Sequence, residues 1–131
     1  MNRKLIFQLS LFGLAMAITT VYWIPSNIEP AFWLGIFIIC AYLIAKKCMG
    51  KFFLHGLLVS LVNCVYVTAA HVILYQPYVA SHPEETNMMA QMQIPINPCV
   101  MMLITGPIIG VLSGLILGLF AFISSRIVRK N

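Results

Sequence analysis

The polar residues inside the third apolar stretch of the sequence are the ones best placed to do chemistry. At about 100° of helical rotation per residue, Ser60, Asn63 and His71 fall along one side, together with the small residues Gly56 and Ala70. Because an amide is unfavourable in lipid, this side is predicted to face other helices, with Asn63 hydrogen-bonded across the bundle. Ser60 and Asn63 would then either join helices or contact a substrate.

A polar path through the membrane would need residues from other stretches as well. Gln8 is the polar residue of the first stretch, and Pro107 removes a backbone hydrogen bond inside the fourth, which can kink or break that helix. The residues predicted to line a substrate path or a helix contact are therefore Gln8, Ser60, Asn63, His71 and Pro107.

A second group with ligand chemistry follows the third stretch. Met88, Met89 and Met92 cluster on one side of a predicted short helix, near His82 and His71. Thioethers and imidazoles suit a soft ion such as Cu(I), so these five residues are metal candidates. The simpler interpretation is an interfacial helix that rests its methionines on the bilayer or on the other helices.

Other chemistries find little support in the sequence. No acid and base pair lies at membrane depth and no nucleophile motif is present, so no enzyme and no catalytic residue are predicted. The four cysteines form no CxxC pair, which argues against a thiol oxidoreductase or a cysteine zinc site. His55 and His71 are separated by about 24 Å along a helix, too far to share one haem. No cofactor is predicted.

Composition identifies the elements that must position these residues. Of 131 residues, 61% are hydrophobic and 8% are charged, and the mean hydropathy is +0.95. Such a chain is predicted to be an all-α integral membrane protein, a single domain over 1–131 with four transmembrane helices in an antiparallel bundle. The predicted spans are residues 5–24, 27–46, 52–75 and 99–125, approximately, with an outer loop over 76–98.

Two helix starts carry capping-box spacing. Ser26 with Glu29 would begin the second span, and Ser81 with Glu84 would begin a short interfacial helix from about His82 to Gln93 in the outer loop.

Charge placement predicts the orientation. The eight Lys and Arg lie at both termini and in the middle loop, whereas Glu29, Glu84 and Glu85 lie in the other two loops. Short basic loops stay cytoplasmic, so both termini are predicted to face the cytoplasm, in a bacterial inner membrane. The small-x-small triplet Ala15 to Ala17 resembles a signal cleavage site, but the run stays apolar through Ile24, and we expect an uncleaved first helix. The net charge of +5 is explained by lipid contact at helix ends, and no nucleic-acid partner is predicted.

Glycine returns at every fourth position of the fourth stretch. Such spacing forms a smooth face, often called a glycine zipper, that lets helix backbones approach closely. We expect this face, formed by Gly106, Gly110, Gly114 and Gly118, to contact either the side of the third helix that carries Gly56 or a second copy of the protein.

Two classes of function remain open. One is a small transporter or channel that works as a homo-oligomer; in size and span number the chain is similar to the small multidrug-resistance exporters and the small fluoride channels. The exporters use a membrane-embedded glutamate in the first helix, where this sequence has Gln8. The other class is a non-transporting membrane subunit or scaffold that binds a partner through its small-residue faces. Outer-side copper handling is a third hypothesis.

Overall fold

The computed structural model describes residues 1–128 and shows an all-helical protein, with no strand in that range. Four helices are long and apolar enough to cross a membrane, which confirms the predicted class and indicates membrane integration. The helices are α1 (Arg3–Tyr22), α2 (Glu29–Lys47), α3 (Phe52–Ile73), α4 (Tyr75–Ser81), α5 (Pro83–Gln91) and α6 (Pro98–Val128). The predicted domain extended to residue 131, and its last three residues lie outside the described range.

The segment between α3 and α6 is more helical than predicted. The third span ends at Ile73, and α4 follows almost at once in a region predicted to be loop. The short helix expected over about residues 82–93 is found as α5, with bounds Pro83–Gln91. Pro83 occupies the first turn, where a missing backbone N–H costs nothing.

Both predicted capping boxes are wrong. The residues before α2 and α5 are Ile28 and His82, and neither makes a side-chain capping bond. The reason is that both serines have other partners: Ser26 Oγ donates to Glu85 Oε1 at 2.5 Å, and Ser81, inside α4, donates to the carbonyl of Val21. Capping spacing is a local signal, and here distant acceptors compete for the hydroxyls.

The expected break in the fourth span is absent from the described helix. α6 runs without interruption through Pro107, whose side chain is exposed.

Helices α3 and α6 form the centre of the structure. α3 packs most extensively on α6 and next on α1, whereas α2 packs chiefly on α6. One apolar core joins all four long helices near the loop between α2 and α3, and its members include Leu5, Leu9, Phe37, Ile44, Val59, Leu117 and Ala121. A smaller cluster of Val21, Tyr78 and Met102 lies near α4. We call the end with Asn2 and the loop 48–51 the basic end, and the end with Glu29, Glu84 and Glu85 the acidic end.

Candidate functional site: the two faces of helix α3

The first face of α3 lies against the glycines of α6. A Cβ added at Gly110 would lie 2.6 Å from Cys64 Cβ, and one at Gly118 would lie 2.9 Å from the carbonyl oxygen of Phe53. A Cβ at Gly56 would lie 2.7 Å from the backbone of Gly118. Real Cβ atoms do not approach this closely, so only glycine allows the α3–α6 interface to close as it does.

The polar side chains of the α3–α6 interface have hydrogen-bond partners. Ser60 Oγ lies 2.8 Å from Ser113 Oγ and donates to the carbonyl of Gly110 at 3.3 Å. Cys64 Sγ donates to the carbonyl of Gly106 at 2.9 Å. These bonds join two helices and leave no free polar group on Ser60 or Cys64, which fits a structural role.

The second face of α3 lies against α1 and presents Asn63. Asn63 is only 3% exposed, and its side chain occupies the space that a Cβ at Gly13 would fill, at 2.7 Å from Asn63 Cβ. Neither Nδ2 nor Oδ1 has a hydrogen-bond partner within residues 1–128. The predicted bond from Asn63 across the bundle is therefore wrong, because the residue opposite the amide is a glycine with no side chain.

The basic end of the α1–α3 interface is closed by His55. The Nε2 atom of His55 accepts from the backbone N–H of Asn2 at 3.0 Å, and Nδ1 donates to the carbonyl of Lys51 at 2.8 Å. A carbonyl can only accept, so this pair of bonds fixes a neutral tautomer with the proton on Nδ1. His55 thus fastens the start of α1 to the start of α3.

The acidic end carries a stack of three rings. His71 at the end of α3 and His82 between α4 and α5 stack on Tyr78, with ring centroids 4.3 and 4.4 Å from it. Two rings stacked this closely on one phenol occupy its two faces. His82 is 3% exposed, and its Nδ1 donates to the carbonyl of Tyr78 at 3.0 Å, which leaves Nε2 as a bare acceptor. Nε2 of His82 and Nε2 of His71 are both buried without a partner in the described chain.

Glu85 ties this stack to the loop before α2. Its carboxylate accepts from the hydroxyls of Ser26 and Tyr78. Burial alone would raise the pKa of Glu85, but the two hydroxyl donors and the nearby His82 and His71 lower it below its ordinary value. Burial, the bond to Glu85 and the charge of Glu85 all raise the pKa of Tyr78, so the phenol stays neutral.

Sequence reasoning missed the Ser26, Tyr78 and Glu85 contacts. From the sequence, Glu85 is interpreted only as a loop charge, and Ser26 is assigned no contact beyond a helix cap. The seven-residue separation of Tyr78 and Glu85 is a helical interval, but the chain is interrupted between α4 and α5, and nothing local connects Ser26 to either residue.

The predicted path residues are not gathered in one place. Ser60 lies in the α3–α6 interface, Asn63 in the α1–α3 interface, and His71 in the stack at the acidic end. Gln8 and Pro107 lie on the exposed surface of α1 and α6. The single polar side expected of α3 is therefore divided between two neighbouring helices.

The methionine candidates are also dispersed. Met88 and Met92 are largely exposed on and after α5, whereas Met89 packs against the Val21, Tyr78 and Met102 cluster. Within residues 1–128 no group of three or more His, Cys, Asp or Glu side chains could hold a metal ion. The ring of Tyr78 also separates the two imidazoles, so His71 and His82 do not converge on one ion.

Three hydrogen-bonding residues of α3 are regularly spaced along its axis. His55, Asn63 and His71 are eight residues apart, or about 12 Å per step at 1.5 Å per residue. His55 contacts the start of α1, Asn63 contacts Gly13 at its middle, and His71 contacts Tyr78 beside its end. Polar groups therefore lie near both ends and at the middle of α3, and those of His55 and Asn63 face α1.

Comparison with known proteins identifies no relative: no family model matches the chain, no curated protein matches it, and no solved structure matches it. The two faces of α3 are accordingly interpreted from their own geometry.

Proposed function

We propose that the protein is a small transporter or channel, rather than an enzyme, and that its polar path follows the α1–α3 interface. The observation that carries the proposal is Asn63, whose two amide atoms are buried near the middle of α3 and have no hydrogen-bond partner among the described residues. Leaving a buried polar group unpaired costs about 1 to 3 kcal/mol, and removing the group would relieve that cost. A solute that passes along the interface and forms hydrogen bonds with the amide would explain why an asparagine occupies this buried position.

The chemistry of the path indicates what could pass. Among the described residues its unpaired groups are the Asn63 amide and, at the acidic end, the Nε2 atoms of His71 and His82. All of these can form hydrogen bonds, and the spans contribute no acidic side chain near Asn63. We therefore propose as substrate a proton or a small uncharged polar solute, since a larger ion would need charged or multiple ligands.

The proposed assembly is an antiparallel four-helix bundle in a bacterial inner membrane, working as a homo-oligomer with both termini cytoplasmic. The order of contacts supports it, because Gly106 and Gly118 of α6 meet Thr68 and Phe53 of α3 in reverse chain order. Charge segregation supports the orientation. In this arrangement α5 lies along the outer membrane surface, with Met88 and Met92 exposed.

Introduced cysteines test the orientation. Native Cys48 is buried and makes a poor probe, so Met49→Cys and Glu84→Cys are placed separately in a chain whose four native cysteines are serine or alanine. Met49 is 94% exposed at the basic end, and Glu84 is exposed at the acidic end. In intact cells an impermeant maleimide should label position 84 and spare position 49. Labelling at position 49 alone would show that the basic end faces outward and would contradict the proposed orientation.

Reconstitution tests the transport proposal. Purified protein in liposomes should speed the decay of a pH gradient, followed with an internal dye, or the osmotic entry of urea or glycerol, followed by light scattering. Asn63→Leu, close in size, should remove that flux and raise the thermal midpoint in detergent, because it deletes an unpaired buried amide.

The two readouts distinguish a path from a structural contact. Val65→Leu, at an exposed position of α3 two residues away, is the matched control and should change neither flux nor midpoint. A lower midpoint for Asn63→Leu would show that the amide holds helices together and would contradict the proposal. Flux in the original protein no greater than in empty liposomes would also contradict it.

The alternative is a non-transporting membrane subunit. The glycine faces first considered for partner binding are occupied within the chain, but a Cβ at Gly35 of α2 would meet nothing within 4 Å. Gly35 therefore leaves an open surface on α2 against which another membrane helix could pack. The exposed Gln8 of α1 can donate and accept hydrogen bonds with such a helix. Absent flux together with loss of a copurifying partner in Gly35→Leu would favour this alternative.

A further inference from the structure

A cavity at the basic end is surrounded by positive charge. It has a volume of about 480 Å³, and it lies among the start of α1, the end of α2, the loop 48–51 and the start of α3. Its lining residues are Met1, Asn2, Lys47, Cys48, Met49, Gly50, Lys51 and His55. None of the three acidic residues of the chain lines it.

We propose that this cavity binds the phosphate of an anionic phospholipid. Lys47 closes the last turn of α2 and Lys51 immediately precedes α3, so both lysines that line the cavity flank the turn between these two helices. α3 begins there with no acidic residue in its first turn and no side-chain cap, so its positive end faces the cavity and offsets the negative end of α2, which terminates at the same place.

The floor of the cavity is built by hydrogen bonds that do not use the lysine side chains. His55, 2% exposed, accepts from the backbone of Asn2 and donates to the carbonyl of Lys51, so it joins the start of α1 to the start of α3. Asn2 in turn accepts from the N–H of Leu5 at 3.1 Å through its side chain. The backbone beside the cavity at Asn2 and Lys51 is therefore held in place without any contact from the Lys51 side chain.

Two features favour a lipid over a soluble anion. The cavity lies where α2 ends and α3 begins, which is where membrane-spanning helices meet lipid headgroups. Met49 is 94% exposed beside it and Met1 is 64% exposed, and these side chains offer apolar contact to the glycerol and upper acyl region. A phosphate with attached chains uses both the charged and the apolar parts of this surface.

Native mass spectrometry of the detergent-solubilised full chain tests the site with dioleoyl phosphatidylglycerol and dioleoyl phosphatidylcholine. The original protein should retain one phosphatidylglycerol in preference to phosphatidylcholine. Each lysine that lines the cavity and contacts the bound phosphate is expected to contribute about fivefold to retention of the anionic lipid. Lys47→Gln with Lys51→Gln should therefore weaken phosphatidylglycerol binding about 25-fold.

The matched control removes the same charge outside the cavity. Lys4→Gln with Lys46→Gln should leave binding within about twofold, because neither residue lines the cavity. If the Lys47 and Lys51 double variant does not fold, as judged by its elution and thermal midpoint, Lys47→Gln alone should still weaken binding about fivefold. Equal weakening by the control pair would overturn the site, as would equal retention of the two lipids. Displacement of the lipid by inorganic phosphate at matched ionic strength would overturn the assignment to a lipid.

Discussion

The two faces of helix α3 differ in whether their polar side chains have hydrogen-bond partners. Toward α6, small residues bring the backbones together, and Ser60 and Cys64 find carbonyl partners. Toward α1, Gly13 makes room for Asn63, yet the amide receives no hydrogen bond. Glycine thus has two uses on neighbouring faces. In one it lets two backbones pack, and in the other it accommodates a polar side chain.

The difference separates stability from function. An interface whose polar groups are all paired contributes packing and hydrogen bonds, and substitution there should lower stability. An interface that keeps an unpaired amide sacrifices stability, and substitution of that amide should raise it. Substitutions of polar residues on the two faces of α3 should therefore change the stability of the protein in opposite directions.

The largest effect is expected for Gly56→Leu. Its side chain would collide with the backbone of Gly118, and backbone atoms cannot swing aside as a flexible side chain can. We expect a loss of about 4 kcal/mol or more, so that little folded monomer survives in detergent. Size exclusion and heating give the measurement. Gly35→Leu, on the open side of α2, is the control and should behave like the original chain.

A smaller effect is expected for Gly13→Ala. The new methyl would overlap Asn63, and moving that side chain should cost about 1 to 3 kcal/mol. In an Asn63→Gly background the same substitution should cost much less, because both the amide and the Cβ of residue 63, which lies 2.7 Å from the added methyl, are gone. Thermal midpoints of the two single variants and the double variant complete the cycle. Additive losses would mean that Gly13 acts independently of Asn63. The conclusion that Gly13 makes room for the Asn63 side chain would then be wrong.

The elements of the fold were largely predictable from the sequence. The lengths and apolar character of the four spans follow from hydropathy, and the bounds of α1 and α2 differ from prediction by only a few residues. Those features depend on local composition. α4 was not predicted because its sequence contains Pro77, flanked by Tyr75, Gln76 and Tyr78. Such a segment shows no helical periodicity of apolar residues that would distinguish it from a loop.

The candidate site was less predictable because it depends on which helix lies opposite each residue. The helical stripe identified Ser60 and Asn63 together, but their side chains meet different neighbours, Ser113 and Gly13. Likewise, capping spacing drew attention to Ser26 and Ser81, while the acceptors of their hydroxyls are 59 and 60 residues away. A single sequence shows which residues share a face, not what that face contacts.

Ser60→Ala should have a modest effect that marks the α3–α6 face as structural. It removes the contact with Ser113 and the longer bond to the carbonyl of Gly110, but Ser113 keeps its bond to Ile109 at 2.7 Å. We expect a loss of about 0.6 kcal/mol, typical of hydrogen bonds between membrane helices. Thr105→Ala is the control, since Thr105 is exposed and bonds only within its own helix. A gain in stability for Ser60→Ala would show that the polar group on the α6 face also lowers stability, and the contrast between the two faces would be lost.

The smallest effect concerns the acidic end, where acid should weaken the tie between Glu85, Ser26 and Tyr78. The pKa of Glu85 is below its ordinary value of 4.5 in the folded protein, so the carboxylate form favours folding. That contribution is present above about pH 4.5 and is lost as the pH falls through the lower folded pKa. Because Glu85 is partly exposed, solvent screening should keep the contribution below about 1 kcal/mol.

Thermal midpoints measured across this acidic range should fall less steeply for Glu85→Gln than for the original chain. Glu84→Gln removes the same charge one position away, where no hydroxyl contact is made, and should retain the original slope. Identical slopes for Glu85→Gln and the original chain would show that the carboxylate does not hold α5 against α4 and the loop before α2. The acidic end would then depend on the ring stack of His71, Tyr78 and His82. In that stack the Nε2 atoms of both histidines have no partner within residues 1–128, as is also true of the Asn63 amide.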